Sequence, residues 1–346
     1  MPLGRQPDPQ PARPQEVTLT TQNPTRRSIL KSAGGLTAAV ALGAGGVLAS
    51  ASAASAVGDG FGLHITERGE QDHRMWYYRF QTSAIGGWTP AVNVLLPDGY
   101  HTSGRRYPVL YLLHGGLEDF ITFDAHHDIR GLTAWKDLIV VMPDGGRAGW
   151  YSNAVSSNVG ARNWEHFHIE QLIPWIDANF RTYAEYEGRA VSGFSMGGFG
   201  ALKYAAKYYG HFASVSAHSG PANLRGGNGD VVTHWANASS AAVELGGGSI
   251  YGVPFWDQAR VSADNPCERV ESYRHKRVFL VAGTSPQDIQ GYANETVVLA
   301  TQREFKWHLD RAGIPYEQHE VDGGHWVRRN LLQDDINGVI DRLRKA

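Results

Sequence analysis

The stretch RAVSGFSMGGFGALKYAAKYYG, residues 189–210, predicts a strand, a tight turn and a helix in direct succession. Gly193 and Gly197 flank Ser195 in a GxSxG pattern at the turn. Glycine is expected on both sides because a Cβ atom would clash where a strand reverses so sharply into a helix. Small and apolar residues follow as far as Gly210, which is suited to end the helix. We therefore predict a nucleophile elbow with Ser195 as the nucleophile.

Other apolar runs predict the remaining strands of a mostly parallel, doubly wound α/β sheet. Continuous apolar runs at 108–113, 138–142 and 278–281 are typical of strands buried on both faces. Alternating patterns at 76–80 and 91–96 predict two antiparallel strands at the front edge. Amphipathic helices are expected between and after these strands, at 169–180 with Pro174 near its start or at a kink, at 295–312, and at 332–343. No repeat or second folded domain is evident.

The first 56 residues resemble an export signal. A twin-arginine pattern at 25–31 precedes a weakly apolar run at 36–48 and an A-x-A site at 54–56, with a second possible site at 51–53. A retained membrane anchor is the alternative, but the run is shorter than a bilayer span requires. We predict a twin-arginine signal peptide at 1–56 and a single exported domain at 57–346, either secreted or associated with the cell envelope.

Composition excludes several classes of function. The chain carries 32 basic and 34 acidic side chains without a basic stripe, which argues against nucleic-acid binding. Its one cysteine, Cys267, cannot form an internal disulfide and is expected to be a buried small side chain, with a catalytic thiol as the alternative. No dinucleotide fingerprint or P-loop is present, and the histidines at 126–127 and 166–168 lack further ligands at metal-binding spacing. We expect no cofactor and no metal.

One long segment, 220–273, interrupts the alternation of strands and helices. It is rich in Gly, Asn and Ser and contains scattered aromatic residues. An irregular insertion after the carboxyl end of a strand commonly forms a lid or a substrate pocket. The alternative is a surface excursion with a small core of its own.

A serine nucleophile needs a base, an acid that orients the base, and donors for the oxyanion. In α/β-hydrolases the order along the chain is Ser, acid, His, so the base should follow the last strand, predicted at 316–321. His325 lies in the glycine-containing loop after that strand and is predicted as the base. The acid should follow the strand that ends near residue 283, and the spacing leaves both Asp288 and Glu295 open.

The oxyanion hole of this fold uses two backbone amides. One belongs to the residue after the nucleophile, which is Met196. The other comes from the loop after the 108–113 strand, where His114-Gly115-Gly116 follows. We predict the amides of Met196 and Gly116 as the donors, because glycine lets the backbone approach a substrate closely.

Several phrases resemble a family of esterases with the α/β-hydrolase fold. These are the runs at 107–116 and 142–146, the WEHF phrase at 164–167, the GFSMGG elbow and the GHW loop at 324–326. The family holds S-formylglutathione hydrolases (esterase D), feruloyl esterases, enterochelin esterases and secreted mycolyltransferases, and the likeness covers residues 75 to 343. The WYSN phrase at 150–153 is most similar to the branch that holds the secreted mycolyltransferases together with actinobacterial esterases, the mycolyltransferase branch.

In the mycolyltransferase branch the acid is a glutamate on the helix before a phrase similar to QREF at 302–305, which implies Glu295 rather than Asp288. The chain also departs from that branch. His114 stands where the branch has aspartate, Glu118 lies near the position of an arginine, and the paired cysteine is missing. These departures argue against a trehalose-mycolate substrate.

We therefore expect an exported serine esterase that acts on a small-molecule, lipid or sugar ester or thioester. An acyltransferase that passes the acyl group to a sugar or lipid hydroxyl is the first alternative, and a non-catalytic envelope binding protein on a hydrolase scaffold is the second. Neither a nucleic-acid partner nor an obligate protein partner is implied.

Overall fold

The structure, a computed structural model, describes residues 57–253, 255–285 and 295–346. These residues belong to one compact unit. The predicted signal peptide at 1–56 and the alternative acid Asp288 lie outside the described residues, so the division of the chain at residue 56 stays a prediction. Within the described ranges, no helix combines the length and the apolar character needed to cross a bilayer.

A single sheet of nine strands occupies the centre of the described part of the chain. The strands are β1 (His64–Glu70), β2 (Met75–Gln81), β3 (Ala91–Leu95), β4 (Val109–Leu113), β5 (Ile139–Pro143), β6 (Arg189–Phe194), β7 (Ser214–His218), β8 (Arg277–Gly283) and β9 (Glu317–Val321). Their spatial order is β1-β2-β3-β5-β4-β6-β7-β8-β9. The pairs from β1 through β3 to β5 are antiparallel, and those from β5 through β4 to β9 are parallel. This confirms the predicted mostly parallel sheet with antiparallel N-terminal strands.

Helices cover both faces of the sheet. They are α1 (Thr122–His127), α2 (Ile129–Leu132), α3 (Trp164–His166), α4 (Ile173–Asn179), α5 (Met196–Lys207), α6 (Asn228–Ser239), α7 (Gln258–Asp264), α8 (Glu295–Ala312) and α9 (Arg329–Arg342). Alternate residues of β4 separate two cores: Leu110 packs with apolar side chains of α1, α2 and α9, whereas Tyr111 packs with those of α4, α5 and α8. The sheet is therefore doubly wound, as the continuous apolar runs predicted.

Shorter helical turns complete the chain's regular structure. The 3₁₀ turns are Tyr100–Thr102, Tyr186–Gly188 and Pro266–Tyr273, and the π-helical turns are Phe167–Leu172 and Ser240–Glu244. Pro174 lies in the first turn of α4, directly after the first π-helical turn. The helical backbone is continuous from α3 through the π-helical turn into α4, so Pro174 lies inside a helix and not near its start, and the widened turn before it accommodates the ring.

Two strands escaped the sequence analysis. The edge strand β1 is largely exposed and polar, so it carries little apolar alternation. The central strand β7 is fully buried but has the sequence SVSAH, whose polar side chains conceal its position in the core. In both strands the degree of burial is decided by tertiary partners and not by the local sequence pattern.

The insertion at 220–273 is largely helical, so the expectation of an irregular segment was wrong. It contains α6, the second π-helical turn, α7 and a 3₁₀ turn. Val232, Ile250 and Tyr251 are among its buried side chains, and they belong to the main hydrophobic core. The alternative of a separate small core is therefore excluded. Glycine, asparagine and serine in this segment mark helix ends and turns between short helices.

A buried carboxylate joins the C-terminal helix to the middle of the sheet. Asp335 of α9 is fully buried and accepts hydrogen bonds from Ser192 (2.9 Å), Ser216 (2.5 Å) and Arg277 (2.7 Å). His218 Nε2 lies 3.1 Å from the same carboxylate. Burial opposes ionisation of Asp335. It is outweighed by favourable interactions: the hydrogen bond and charge of His218, the charge of Arg277 and the hydrogen bond from Ser216. Together they lower the pKa of Asp335 to about 2.

Replacing Asp335 with asparagine should destabilise the protein by about 3–5 kcal/mol at pH 7, because Arg277 is left without its buried partner. A carboxylate with a lowered pKa stabilises the fold above its unfolded pKa and loses that effect as the pH falls. The difference in the free energy of unfolding between wild type and Asp335→Asn should therefore be about 1 kcal/mol smaller at pH 3 than at pH 5. Urea unfolding measures both quantities. The control is Asp341→Asn on the exposed side of α9; equal stability of the two variants would contradict the prediction.

Candidate active site

Ser195 occupies the sharp turn between β6 and α5. Its φ and ψ are 55° and −118°, a conformation that non-glycine residues rarely adopt. Its amide donates to the carbonyl oxygen of His218 at 2.8 Å, which anchors the turn to the end of β7. Helix α5 begins at Met196, directly after the nucleophile, and ends at Lys207, before the glycine at which its end was predicted. The turn and the helix are therefore continuous, and the side chain of Ser195 is held at the carboxyl edge of the sheet.

Two glycines make this turn sterically possible. A Cβ atom on Gly193 would lie 2.3 Å from the carbonyl oxygen of Gly197, and one on Gly197 would lie 2.1 Å from the carbonyl oxygen of Leu113. Both distances are far below van der Waals contact, and both obstacles are backbone atoms. The elbow glycines predicted from the sequence therefore meet the close backbone approach that was expected of them.

The structure brings three of the predicted side chains into one hydrogen-bonded line. His325 Nε2 lies 2.7 Å from Ser195 Oγ, and His325 Nδ1 lies 2.5 Å from Glu295 Oε2. The chain order is Ser, Glu, His. With the carboxylate at Nδ1, the imidazole carries its proton there and presents an unprotonated Nε2 to the serine hydroxyl. This arrangement can remove the hydroxyl proton as the oxygen attacks an acyl carbon.

Glu295 is oriented by a second pair of contacts. The residue is fully buried at the first described position of α8. Its Oε1 accepts hydrogen bonds from Ser219 Oγ at 2.8 Å and from the Gly283 amide at 2.6 Å. Only Oε2 is then left to face His325, so the carboxylate cannot rotate without breaking these bonds. The other predicted acid, Asp288, lies outside the described residues.

In the loop that follows β4, one backbone amide has no hydrogen-bond acceptor among the described residues. The Gly115 amide donates to Glu118 Oε2 at 2.7 Å, the Leu117 amide donates to the Arg147 carbonyl at 2.7 Å, and the Glu118 amide donates to the Gly115 carbonyl at 3.4 Å. Within the described ranges, the Gly116 amide has no partner. Met196 is the first residue of α5, where helix amides have no intrahelical acceptor. These are the two amides that the sequence analysis selected.

His114 holds the orientation of this loop, a role that the sequence analysis did not assign. Its Nε2 accepts from the Gly145 amide at 2.8 Å, so Nδ1 carries the proton and donates to the Gly115 carbonyl at 2.7 Å. Burial lowers the pKa of His114 to about 4, which keeps the ring neutral. Because C=O and N–H point in opposite directions in a trans peptide, fixing the Gly115 carbonyl also fixes the Gly116 amide. The signal available in the sequence was a histidine directly before paired glycines.

A further carboxyl group lies beside the catalytic line. Glu118 is partly buried behind the Gly115 amide, and burial raises the pKa of its carboxyl group although His126 and His325 favour the charged form. The ring of Phe194 packs on the imidazole of His325 at a centroid distance of 4.9 Å. The base is therefore confined between an aromatic ring and the elbow turn.

The remaining candidates for chemistry are not assembled into sites. Cys267 is buried and donates to the Ala222 carbonyl at 3.2 Å, and burial raises the pKa of its thiol, so it is suited to packing and not to catalysis. Among the residues that the structure describes, no group of three or more His, Cys, Asp and Glu side chains is arranged to hold a metal ion.

Comparison with known proteins places these observations in a family. The sequence profile described as "Putative esterase" matches residues 83–333. The protein "Esterase Rv1288" of Mycobacterium tuberculosis is 68% identical over 292 residues, which cover 83% of this chain and 63% of that protein. The chain thus spans less than two thirds of the length of this curated relative. The "Diacylglycerol acyltransferase/mycolyltransferase Ag85A" of Mycobacterium bovis is 31% identical over 128 residues, which cover 35% of this chain and 37% of the relative.

A solved structure supports the fold. The S-formylglutathione hydrolase from Agrobacterium tumefaciens superimposes with a TM-score of 0.64 at 18% identity, over 81% of this chain and 99% of that protein. At this level of identity the likeness concerns the fold alone. It confirms the α/β-hydrolase fold predicted from the elbow and the strand pattern.

Proposed function

Because the chain belongs to this esterase family, we propose that it is a serine hydrolase that cleaves carboxylic esters or thioesters through an acyl-serine intermediate. One observation carries the proposal: Ser195 Oγ, His325 and Glu295 form a continuous hydrogen-bonded line with contacts of 2.7 and 2.5 Å. The substrate class we propose is a small-molecule, lipid or sugar ester.

The proposed mechanism uses these groups in two half-reactions. Ser195 Oγ attacks the acyl carbon while His325 Nε2 takes the hydroxyl proton, and Glu295 stabilises the imidazolium that forms. The amides of Gly116 and Met196 donate to the oxyanion. His325 then gives the proton to the leaving alcohol or thiol, and the acyl-serine remains. A water molecule attacks the acyl-serine with the same base, which releases the acid and restores the Ser195 hydroxyl.

The fluorophosphonate reaction tests the nucleophile and the acid together. A fluorophosphonate probe should label wild type at Ser195, and the Glu295→Gln variant should react about a thousandfold or more slowly because the amide favours the wrong imidazole tautomer. The Asp288→Asn variant is the control and should keep the wild-type rate. Rates come from quenched gel or mass-spectrometric time courses.

The opposite results have distinct meanings. A slow Asp288→Asn variant beside a fast Glu295→Gln variant would assign the acid to Asp288. If folded wild-type protein is not labelled at all, the esterase proposal fails, and the alternative of a non-catalytic envelope binding protein takes its place.

Acyl transfer is the second candidate, and the partial identity to a mycolyltransferase favours it. Such an enzyme would form the same acyl-serine and pass the acyl group to a sugar or lipid hydroxyl in place of water. The presence of His114 and Glu118 beside the oxyanion loop, in place of the aspartate and arginine that the resemblance implies, argues against a mycolate substrate.

Product analysis distinguishes hydrolysis from transfer. With p-nitrophenyl butyrate we expect butyric acid as the main acyl product, and its yield per p-nitrophenol should be unchanged when a free disaccharide is added at high concentration. Mass spectrometry of the products makes the measurement, and Ser195→Ala gives the uncatalysed background. A disaccharide butyrate ester that forms at the expense of butyric acid would instead establish the transferase.

We also propose that the protein is exported by the twin-arginine pathway to the cell surface or the medium, because residues 25–31 and 54–56 match its signal and cleavage site. In a bacterial host with this pathway, mature protein should begin near residue 57 outside the cytoplasm. Replacing Arg26 and Arg27 with lysine should retain the full-length precursor inside, and replacing Arg5 and Arg13 is the matched control. Equal export of both variants, measured by fractionation and N-terminal sequencing, would contradict the proposal.

A further inference from the structure

One loop contacts the backbone next to Gly116 and the side chain of Met196, the two residues that carry the proposed oxyanion donors. This loop, residues 145–151, accepts the Leu117 amide at the Arg147 carbonyl (2.7 Å), directly beside Gly116. At its other end the Trp150 amide donates to Met196 Sδ at 3.4 Å. The two amides that must point at a single oxyanion come from separate elements, and the 145–151 loop lies between the residue beside one and the side chain of the other.

The loop is in turn held by the insertion, on the end of α6 and the π-helical turn that follows. Ser239 Oγ accepts from Trp150 Nε1 at 2.9 Å, and Ser240 Oγ donates to the Ala148 carbonyl. Glu244 Oε2 accepts from the Arg147 amide at 3.1 Å. The π-helical turn presents Ser240 and Glu244, four residues apart, to the same stretch of the loop; such turns are frequent near functional sites.

Of these three residues of the insertion, Glu244 has the side chain with the most surroundings that restrict its movement. Its side chain is 9% exposed, and its Oε1 lies 3.0 Å from Trp164 Nε1 and 3.3 Å from Arg162 Nε. It also approaches the loop backbone closely: a Cβ atom on Gly146 would lie 2.7 Å from Oε1, and the φ of Gly146 is +71°. A largely buried carboxylate held by two hydrogen bonds and an ion pair resists displacement, because movement would leave Trp164 Nε1 and the buried Arg162 without their partner.

We infer that Glu244 is a positioning residue that supports the oxyanion hole, chiefly on the Gly116 side, through the 145–151 loop. The inference rests on the proposed function, since it assigns Glu244 a part in the same reaction. Removing the carboxylate leaves the Arg147 amide without its acceptor. The carbonyl of the same residue, in the next peptide group, accepts from the Leu117 amide beside Gly116, so a shift of Arg147 would move this end of the loop that carries the Gly116 amide. The loss falls on the transition state, where the oxyanion forms, and not on substrate binding.

The test compares Glu244→Ala and Glu244→Gln with a matched control, Asp177→Asn. Asp177 of α4 also pairs with a buried arginine, and its side chain is 12% exposed, but its partner Arg189 is the first residue of β6, at the end of the strand away from Ser195. With p-nitrophenyl butyrate, kcat of Glu244→Ala should fall about 10- to 100-fold, somewhat less than the loss of a whole donor costs, while KM changes by less than about twofold. Glu244→Gln keeps one acceptor oxygen and should fall in between. Asp177→Asn should lower Tm and keep kcat.

Amide hydrogen exchange measures the support without reference to turnover. Peptides that cover 114–120 and 145–151 should exchange faster in Glu244→Ala than in wild type or Asp177→Asn. If Glu244→Ala does not fold, Glu244→Gln and Ser240→Ala replace it, and each should change exchange and kcat in the same direction by a smaller factor.

The outcomes separate the two claims. Unchanged kcat in folded Glu244→Ala overturns the inference, whether or not exchange increases, because the contact is then structural only. If wild type neither hydrolyses esters nor reacts with the fluorophosphonate, the proposed function is overturned. If amide exchange of the two peptides is then also the same in Glu244→Ala as in wild type, the claim that Glu244 supports the loop is overturned as well. Lower kcat with faster exchange in both peptides supports the inference.

Discussion

The close approach of backbones at the elbow is the constraint on which the active-site geometry depends. The main chain turns from β6 into α5 with so little space that positions 193 and 197 accept no Cβ atom. Ser195 is held at a φ of 55° by the hydrogen bond that its amide donates to the His218 carbonyl, so its hydroxyl position is decided before any substrate binds. The strain of this conformation, of the order of 1–3 kcal/mol, is tolerated because the buried strands on both sides leave the turn no alternative.

Around this fixed point, two polar side chains of the site, Glu295 and His114, are each held in one hydrogen-bonding arrangement. Ser219 and the Gly283 amide occupy one oxygen of Glu295, which directs the other to His325. The Gly145 amide occupies one nitrogen of His114, which directs the other to the Gly115 carbonyl. In both cases a neighbouring backbone amide decides which atom acts. Such preorganisation matters because donors that need no rearrangement stabilise a transition state most effectively.

The sequence predicted those parts of the site that a local pattern encodes. The strand, glycines and helix around Ser195 lie in one stretch, and His325 follows the last strand at the position the fold requires. Glu295 could not be separated from Asp288 by spacing, because the choice depends on which carboxylate meets Ser219 in three dimensions. The hydrogen bonds of His114 and Glu244 join residues that are 31 and 97 positions apart, and contacts of such long range leave no periodic pattern in the sequence. Strand β7 was missed for a similar reason, since its Ser216 is buried with a hydrogen bond to Asp335 of the distant helix α9.

Because the insertion is helical and not a flexible lid, we expect its sequence to affect a different step of the reaction. A flexible lid would affect mainly substrate entry, and its variation would then alter KM. Here Ser239, Ser240 and Glu244 are tied by hydrogen bonds to the loop that supports the proposed oxyanion donors. Substitutions in this segment would therefore act on the chemical step even where they touch no substrate. Any attempt to alter acyl or alcohol specificity through the insertion should consequently preserve these three contacts and vary the exposed side of α6.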